Sequence, residues 1–418
     1  MSSRTRTVAL LFVVAAGLAA AVASTAQGAA KTGNTLVIWT DSNRAAAFTS
    51  IGNKYAAANP GVTVTVVTKQ FGVSGQGTIG GDLGTTDSAD APDVIAAASD
   101  WTGALSADGL VVPLHLSKTV KNLFPAYTLN ALSYGTAVKN LYGLPTQIEN
   151  IGLIVNTKEV AVPKTFKQLV SEALAYKKKH HRKVGIAVQQ GSGGDAYHMY
   201  PFFSGLGGYV FGVNHAGNLD PSNIGVASRT LIKNAGMIDK WNREGLINSA
   251  VDSSTAQNLF MSGQVPFWVT GPWNSSLLEG SKLKFVVIQI PKIVKRAVPF
   301  LGVQGVMITK YASTHGVSAI ATDFVDNYLT KPSAQLALAE AEGRYPASTP
   351  AGKNDHDKVL AEFGRAGAGG VPLPNIPQMN DVWTSLGNAW VVSTKGSGAT
   401  PAAKAFKAAK HAIAEAIG

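Results

Sequence analysis

Leu36-Val37-Ile38-Trp39, then Phe48, Ile51 and Tyr55, then the turn Asn59-Pro60-Gly61, then Val62-Thr63-Val64-Thr65-Val66-Val67: this stretch decides the fold class. The first run is apolar and of strand length, and the three aromatic or aliphatic side chains after it share one helical face. The last run alternates valine with threonine, as a half-buried strand does. Strand, helix and strand so closely spaced form a βαβ unit with a parallel pair, which predicts an α/β architecture. Working outward, Pro92-Asp93-Val94-Ile95 reads as a third strand, and a short helix from about Asp100 to Ala107 is stopped by Gly109. Thr165-x-x-Gln168 is a capping-box pattern opening a further helix. Helices are also predicted over 224–244, 320–330 and 400–417, and the glycine-rich stretch 364–370 reads as a loop.

The chain has 418 residues, more than one hydrophobic core usually organises, so two lobes are expected. Hydrophobic residues at 45% and a mean hydropathy of +0.10 give enough apolar surface for a globular fold. The absence of cysteine excludes disulfides, thiolate metal sites, thiol nucleophiles and a lipidated N-terminal cysteine. Arg4 and Arg6, the apolar run from Val8 to Ala23 and Ser24-Thr25-Ala26 read as a secretory signal over 1–26, the run being shorter than the ~20 residues that span hydrocarbon. An exported protein, periplasmic or extracellular, is predicted.

The formal charge of +11 reflects scarce carboxylates and reads as a solvated basic surface, with adaptation to an acidic exterior as the sharper alternative. Nucleic acid is not an expected partner. The densest basic run, Lys177 to Lys183, closes a predicted helix, where cations offset the dipole, and it has no interleaved aromatics.

Gly191-Ser192-Gly193-Gly194 lacks the lysine of a phosphate loop, and no His-Glu-x-x-His, calcium loop or Gly-x-Ser-x-Gly elbow occurs. No metal and no cofactor are expected, and His198 alone reads as a packed or surface histidine. What remains is a set of carboxylates and aromatics at strand ends and in loops: Asp100 with Trp101, Glu149, Asp195 with Tyr197, Trp273 and Trp383. Sugars call for this mixture, because an aromatic covers the C–H face of a pyranose while carboxylates accept from its hydroxyls. Taken singly, each has a plainer role: the tryptophans fill a core and Asp100 caps a helix.

The joint pattern resembles the maltose/maltodextrin-binding proteins, the extracytoplasmic receptors of ATP-binding-cassette sugar importers. Pro374-Asn375-Ile376-Pro377-Gln378-Met379, followed by Trp383, is the most specific match. Gly271-Pro272-Trp273, Leu36-Val37-Ile38-Trp39, and Pro145 with Glu149 fall in the same order as in that family. The resemblance implies a two-lobed architecture, each lobe a mostly parallel sheet flanked by helices. Three hinge crossings near 148, 303 and 351 would make 27–148 with 304–351 one lobe and 149–303 with 352–418 the other. It implies a binding protein, not an enzyme, with a sugar-binding cleft formed by Asn43, Arg44, Asp100, Trp101, Glu149, Asp195, Tyr197, Trp273 and Trp383. It also implies permease subunits as partners, and a monomer. Ala97, Trp101 and Gly387 stand where that family has a tryptophan and two arginines. An exported glycosidase using Asp100, Glu149 and Asp195 is the rival from another class, and a same-fold receptor for another cargo is a third reading.

Overall fold

The computed structural model describes residues 33–135 and 138–418, so the signal segment expected over 1–26 lies outside the described residues. Strand β1 (Thr35–Thr40), helix α1 (Ser42–Ala58) and strand β2 (Thr63–Thr68) form the unit that the opening pattern predicts, with β1 and β2 parallel. Leu36 and Ile38 are fully buried, and Phe48, Ile51 and Tyr55 are the buried face of α1. Asp41 caps α1 by accepting from the Asn43 backbone N–H. In β2 the threonine positions are exposed and the valines half-buried, as the alternation requires of an edge strand.

The remaining strands of the two large sheets are β3 (Val94–Ala98), β4 (Gly143–Asn150), β5 (Gly152–Asn156), β6 (Ala187–Val188), β7 (Phe267–Thr270), β8 (Phe285–Ile288), β9 (Phe300–Ile308), β10 (Tyr345–Pro346) and β11 (Val371–Pro372). The larger sheet has the order β10-β4-β9-β3-β1-β2, with β11 also on β9; the smaller has the order β8-β5-β7-β6. The expectation of mostly parallel sheets is corrected, because both are mixed. β9 lies antiparallel to β3 and β4, β4 to β10, and β5 to β7 and β8. The physical reason is the chain crossing. Ile151 alone separates β4 in one sheet from β5 in the other, and a strand entering from the other lobe needs no helical crossover to set its direction.

Buried apolar side chains form two large clusters, one drawn from 36–144 and 303–347, the other from 151–300 and 373–413. A third, smaller cluster with Phe260, Trp268 and Phe363 covers the opposite face of the small sheet: Leu153 and Val155 point into one cluster and Ile154 into the other. The architecture is thus a two-lobed α/β fold. Among the described residues no helix is long and apolar enough to cross a membrane.

Three local readings change. Residues 224–228 are not helical, because Ile224 ends a strand and Ser228 caps the helix Arg229–Asn234, which is followed by Gly236–Glu244. Gly364 lies inside the helix Lys358–Ala366, so the glycine-rich loop starts at Gly367. The helix expected at Asp100 begins as a 3-10 turn, Ser99–Trp101, before Thr102–Ala107.

Helices α2 (Ala196–Gly205), α3 (Asn380–Thr394) and α4 (Ala402–Ala416) build the second lobe beside the cleft. The segment 374–379 leads into α3 and holds it against the first lobe. Asn375 Nδ2 reaches the carbonyls of Asn130, Ala131 and Ser133 at 3.1, 3.0 and 2.8 Å, at the end of the helix Ala126–Ala131. Gly103 permits the approach: a Cβ there would lie 2.4 Å from the Asn375 carbonyl oxygen.

Candidate functional site

A cavity of about 510 Å³ is lined by residues from both parts of the fold, among them Ala98, Glu149 and Gln304 of the larger sheet and Tyr197 of helix α2. All nine residues singled out from the sequence line it: Asn43, Arg44, Asp100, Trp101, Glu149, Asp195, Tyr197, Trp273 and Trp383. It is also lined by Asp41, Phe71, His198, Gln304 and Arg344, which the sequence reading passed over.

On the side of the large sheet, Asp41 at the end of β1 and Arg44 in α1 are a buried ion pair. Burial works against the Asp41 charge, yet the Arg44 guanidinium and the Asn43 N–H hold its carboxyl below the usual range. Arg44 Nη1 donates to Gln304 Oε1 at 3.1 Å, its guanidinium lies 5.0 Å from the Phe71 ring centre, and its Nη2 is buried with no partner. Phe71 leans on Trp101 with ring centres 4.6 Å apart. Ala97 is wholly buried opposite Gly305, so the neighbouring Ala98 is the strand residue that reaches the cavity. Ala97 itself does not line the cavity, where Phe71 and Trp101 supply aromatic surface on this side.

Glu149, at the end of β4, has a protein donor on each of its oxygens. Arg344 Nε donates to one of its oxygens and Gln304 Nε2 donates to the other at 3.0 Å. Behind this pair Glu342 accepts from Gln147 Nε2 at 3.0 Å, and its burial pushes its carboxyl up to about 7. Arg344 also stands 5.5 Å over the Trp273 ring.

Asp100 accepts from Trp383 Nε1 at 3.1 Å, a hydrogen bond between a loop of the large sheet and helix α3 of the other lobe. Burial is the largest influence on Asp100 and pushes its carboxyl up to about 6, against the pull of that indole N–H. The Trp383 ring meets Phe300 edge-on at 6.0 Å, while Tyr197 lies nearly parallel to Phe300 at 6.2 Å and tilted to Trp273 at 6.3 Å. The Tyr197 hydroxyl is buried with no partner.

Asp195 caps α2. It accepts from the His198 backbone N–H at 2.8 Å and from Gln189 Nε2 at 2.6 Å, and His198 Nδ1 lies 2.8 Å from Oδ2. Its burial is outweighed by His198 and these hydrogen bonds, so its carboxyl sits below the usual range. Glu149 and Asp195, both expected to accept from sugar hydroxyls, already accept from protein donors, which take part of the lone-pair capacity of each carboxylate. Gly387 lies against the Gly193 and Gly194 backbone, with Gly193 O 3.0 Å from where its Cβ would be, which leaves no room for an arginine there.

Of the residues passed over, Gln304 had a readable signal, a lone amide inside the apolar run Phe300 to Ile308. Phe71 and Arg344 had none, since their placement depends on contacts far away in the chain; Asp41 and His198 stand three residues from Arg44 and Asp195, with which they pair, but fall in no motif.

The profile of the bacterial extracellular solute-binding proteins matches residues 44–361. The chain belongs to that family. This solute-binding protein is 27% identical over 381 residues to a galactooligosaccharide-binding protein of Bacillus subtilis, covering 88% of this chain and 86% of that protein. It is 27% identical over 354 residues to a maltodextrin-binding protein of the same organism, with 80% and 79% covered. A maltotriose-binding protein of Pyrococcus abyssi is 28% identical over 312 residues, with 71% and 64% covered. The family is one of solute-binding proteins, and the chain is not an enzyme.

Proposed function

We propose that this solute-binding protein is exported by its segment 1–26, captures a neutral oligosaccharide of the maltodextrin type in the cleft, and delivers it to an ATP-binding-cassette importer. One observation carries the reading. Trp273, Trp383, Tyr197 and the Phe71–Trp101 pair surround a single cavity whose two guanidiniums, Arg44 on Asp41 and Arg344 on Glu149, are already paired. A free anion would find no excess positive charge there, since the lining sets Asp41, Asp100, Glu149 and Asp195 against only Arg44 and Arg344, whereas a ring with apolar faces and hydroxyl edges finds both kinds of partner. The names of the oligosaccharide-binding relatives point the same way.

The lobes take 27–148 with 304–351 and 149–303 with 352–418, with crossings near 148, 303 and 351, and the protein works as a monomer. A ligand shifts a two-lobed equilibrium only if it binds the closed form better than the open one, so the sugar must touch both lobes. Asp100 and Arg44 come from the first lobe, Tyr197, Trp273 and Trp383 from the second. Calorimetric titration of the mature protein with maltose, maltotriose, a longer maltodextrin, a galactooligosaccharide and trehalose tests the proposal. Saturable binding of intact maltodextrins, tighter than that of the galactooligosaccharide, is expected; binding of none of these sugars would overturn it.

A further inference from the structure

Besides the Tyr197 hydroxyl, the second lobe has an open polar atom in the cavity lining on a residue that the sequence reading set aside. Asp195 already receives the His198 backbone N–H and Gln189 Nε2, and its Oδ2 faces His198 Nδ1. Facing a carboxylate, Nδ1 carries a proton, and the ring is fixed in orientation from behind. The other nitrogen, Nε2, is buried with no hydrogen-bond partner, although His198 is only 4% exposed and lines the cavity. Its ring is set edge-on to Trp273 at 5.6 Å and to Tyr197 at 5.9 Å, two of the aromatics that line the cavity with it. Helix α2 fixes this arrangement: Asp195 caps it, and Pro201 has no N–H to bond the Tyr197 carbonyl one turn back.

We infer that His198 contacts the solute, its Nε2 hydrogen-bonding a sugar hydroxyl, and that Asp195 is the positioning residue behind it. The inference rests on the sugar-binding reading above. A hydroxyl suits Nε2 in either charge state, since it donates to the neutral ring and accepts from the imidazolium. It also supplies the partner that the buried nitrogen lacks.

The test compares the wild type with His198→Asn, His198→Gln and Asp195→Asn, using the tightest-binding oligosaccharide and its monodeoxy analogues. Asparagine at 198 keeps a donor near Nδ1 but has no atom at the Nε2 position, which glutamine approaches. Expected results are a loss of roughly tenfold or more for His198→Asn with partial recovery in His198→Gln. One deoxy analogue should bind more weakly to the wild type yet no more weakly to His198→Asn. The Nε2 nitrogen resonance of wild-type His198 should move on saturation with sugar, a readout that holds even if a variant fails to fold. Equal affinity of His198→Asn and wild type, identical deoxy penalties in both, or an unmoved Nε2 resonance each overturns the inference. A wild type that binds no oligosaccharide overturns the sugar reading and this inference together, and the wild-type titration alone tells that outcome from the others.

Discussion

Trp273 lines the cleft as an aromatic and Asp100 as a carboxylate, and the two should fail differently. Truncating Trp273 to alanine removes an apolar platform together with the Arg344 contact above it, so every sugar should lose about 1–2 kcal/mol. Asp100→Ala removes a directional group, so its cost should differ among epimers; calorimetry across a sugar panel checks both, and equal losses in both variants would refute the division. Asp100 and Glu342 also set a pH dependence. Burial raises them from 3.8 to about 6 and from 4.5 to about 7, so between about pH 4 and 7 the folded chain holds protons that the unfolded chain has released. The stabilisation is fully present below about pH 4 and is lost as pH rises through 6 and then 7. Asp41 and Asp195, held low, act with the opposite sign and lose their contribution only as pH falls through their own lowered values. Urea denaturation of Asp100→Asn combined with Glu342→Gln should show a flatter profile from pH 4 to 7, by on the order of 2 kcal/mol or more. A profile as steep as the wild type would refute it.

At the level of elements, the segment 374–379 is a structural clasp. Asn375 serves three carbonyls at the end of the helix Ala126–Ala131, and Asn375→Ala leaves them without that donor, an expected loss of about 1–3 kcal/mol in thermal or urea unfolding. Gly103→Ala should cost a comparable amount, because its Cβ would press on backbone rather than on a side chain that can move. Elements were legible where burial writes a period into the sequence: β1, α1 and β2 repeat the spacing of Leu36, Phe48, Ile51, Tyr55 and the Val–Thr alternation. Thr165 accepts from the Gln168 N–H at 3.1 Å, as its spacing predicts, although Gln168 reaches back to the Lys164 N–H instead of closing the box. The strand ending at Ile224 was not legible, since a β-pair draws its stability from a partner strand and its apolar residues fit a helical face equally well. Of the site, the residues at motif positions line one cavity. Arg344 was not legible, because a side chain's distant neighbours leave no mark on local spacing, and neither do its contacts to Glu149; His198 stands three residues from Asp195, a pairing that no motif marks.

For the whole molecule the question is what holds the lobes in the arrangement described here, with the Trp383 indole of one lobe donating to the Asp100 carboxylate of the other. If solute and this hydrogen bond both favour the closed form, removing the bond lowers the closed population, and apparent affinity falls by the same factor. Trp383→Phe keeps an aromatic face against Phe300 but deletes the N–H. Net contributions of hydrogen bonds to charged groups are about 1.5–3 kcal/mol, and burial of the unpartnered carboxylate adds to the deficit, so a loss of roughly tenfold or more is expected for every sugar. Small-angle scattering separates this from lost stacking: wild type should contract on adding saturating sugar, and sugar-free Trp383→Phe should be more expanded than the sugar-free wild type. The variant should still contract once sugar is raised above its weakened dissociation constant, since solute contacts from both lobes remain. An unaltered radius of gyration in the sugar-free variant would show that the bond between Trp383 and Asp100 does not hold the lobes together, and would leave closure to the solute and the Asn375 clasp.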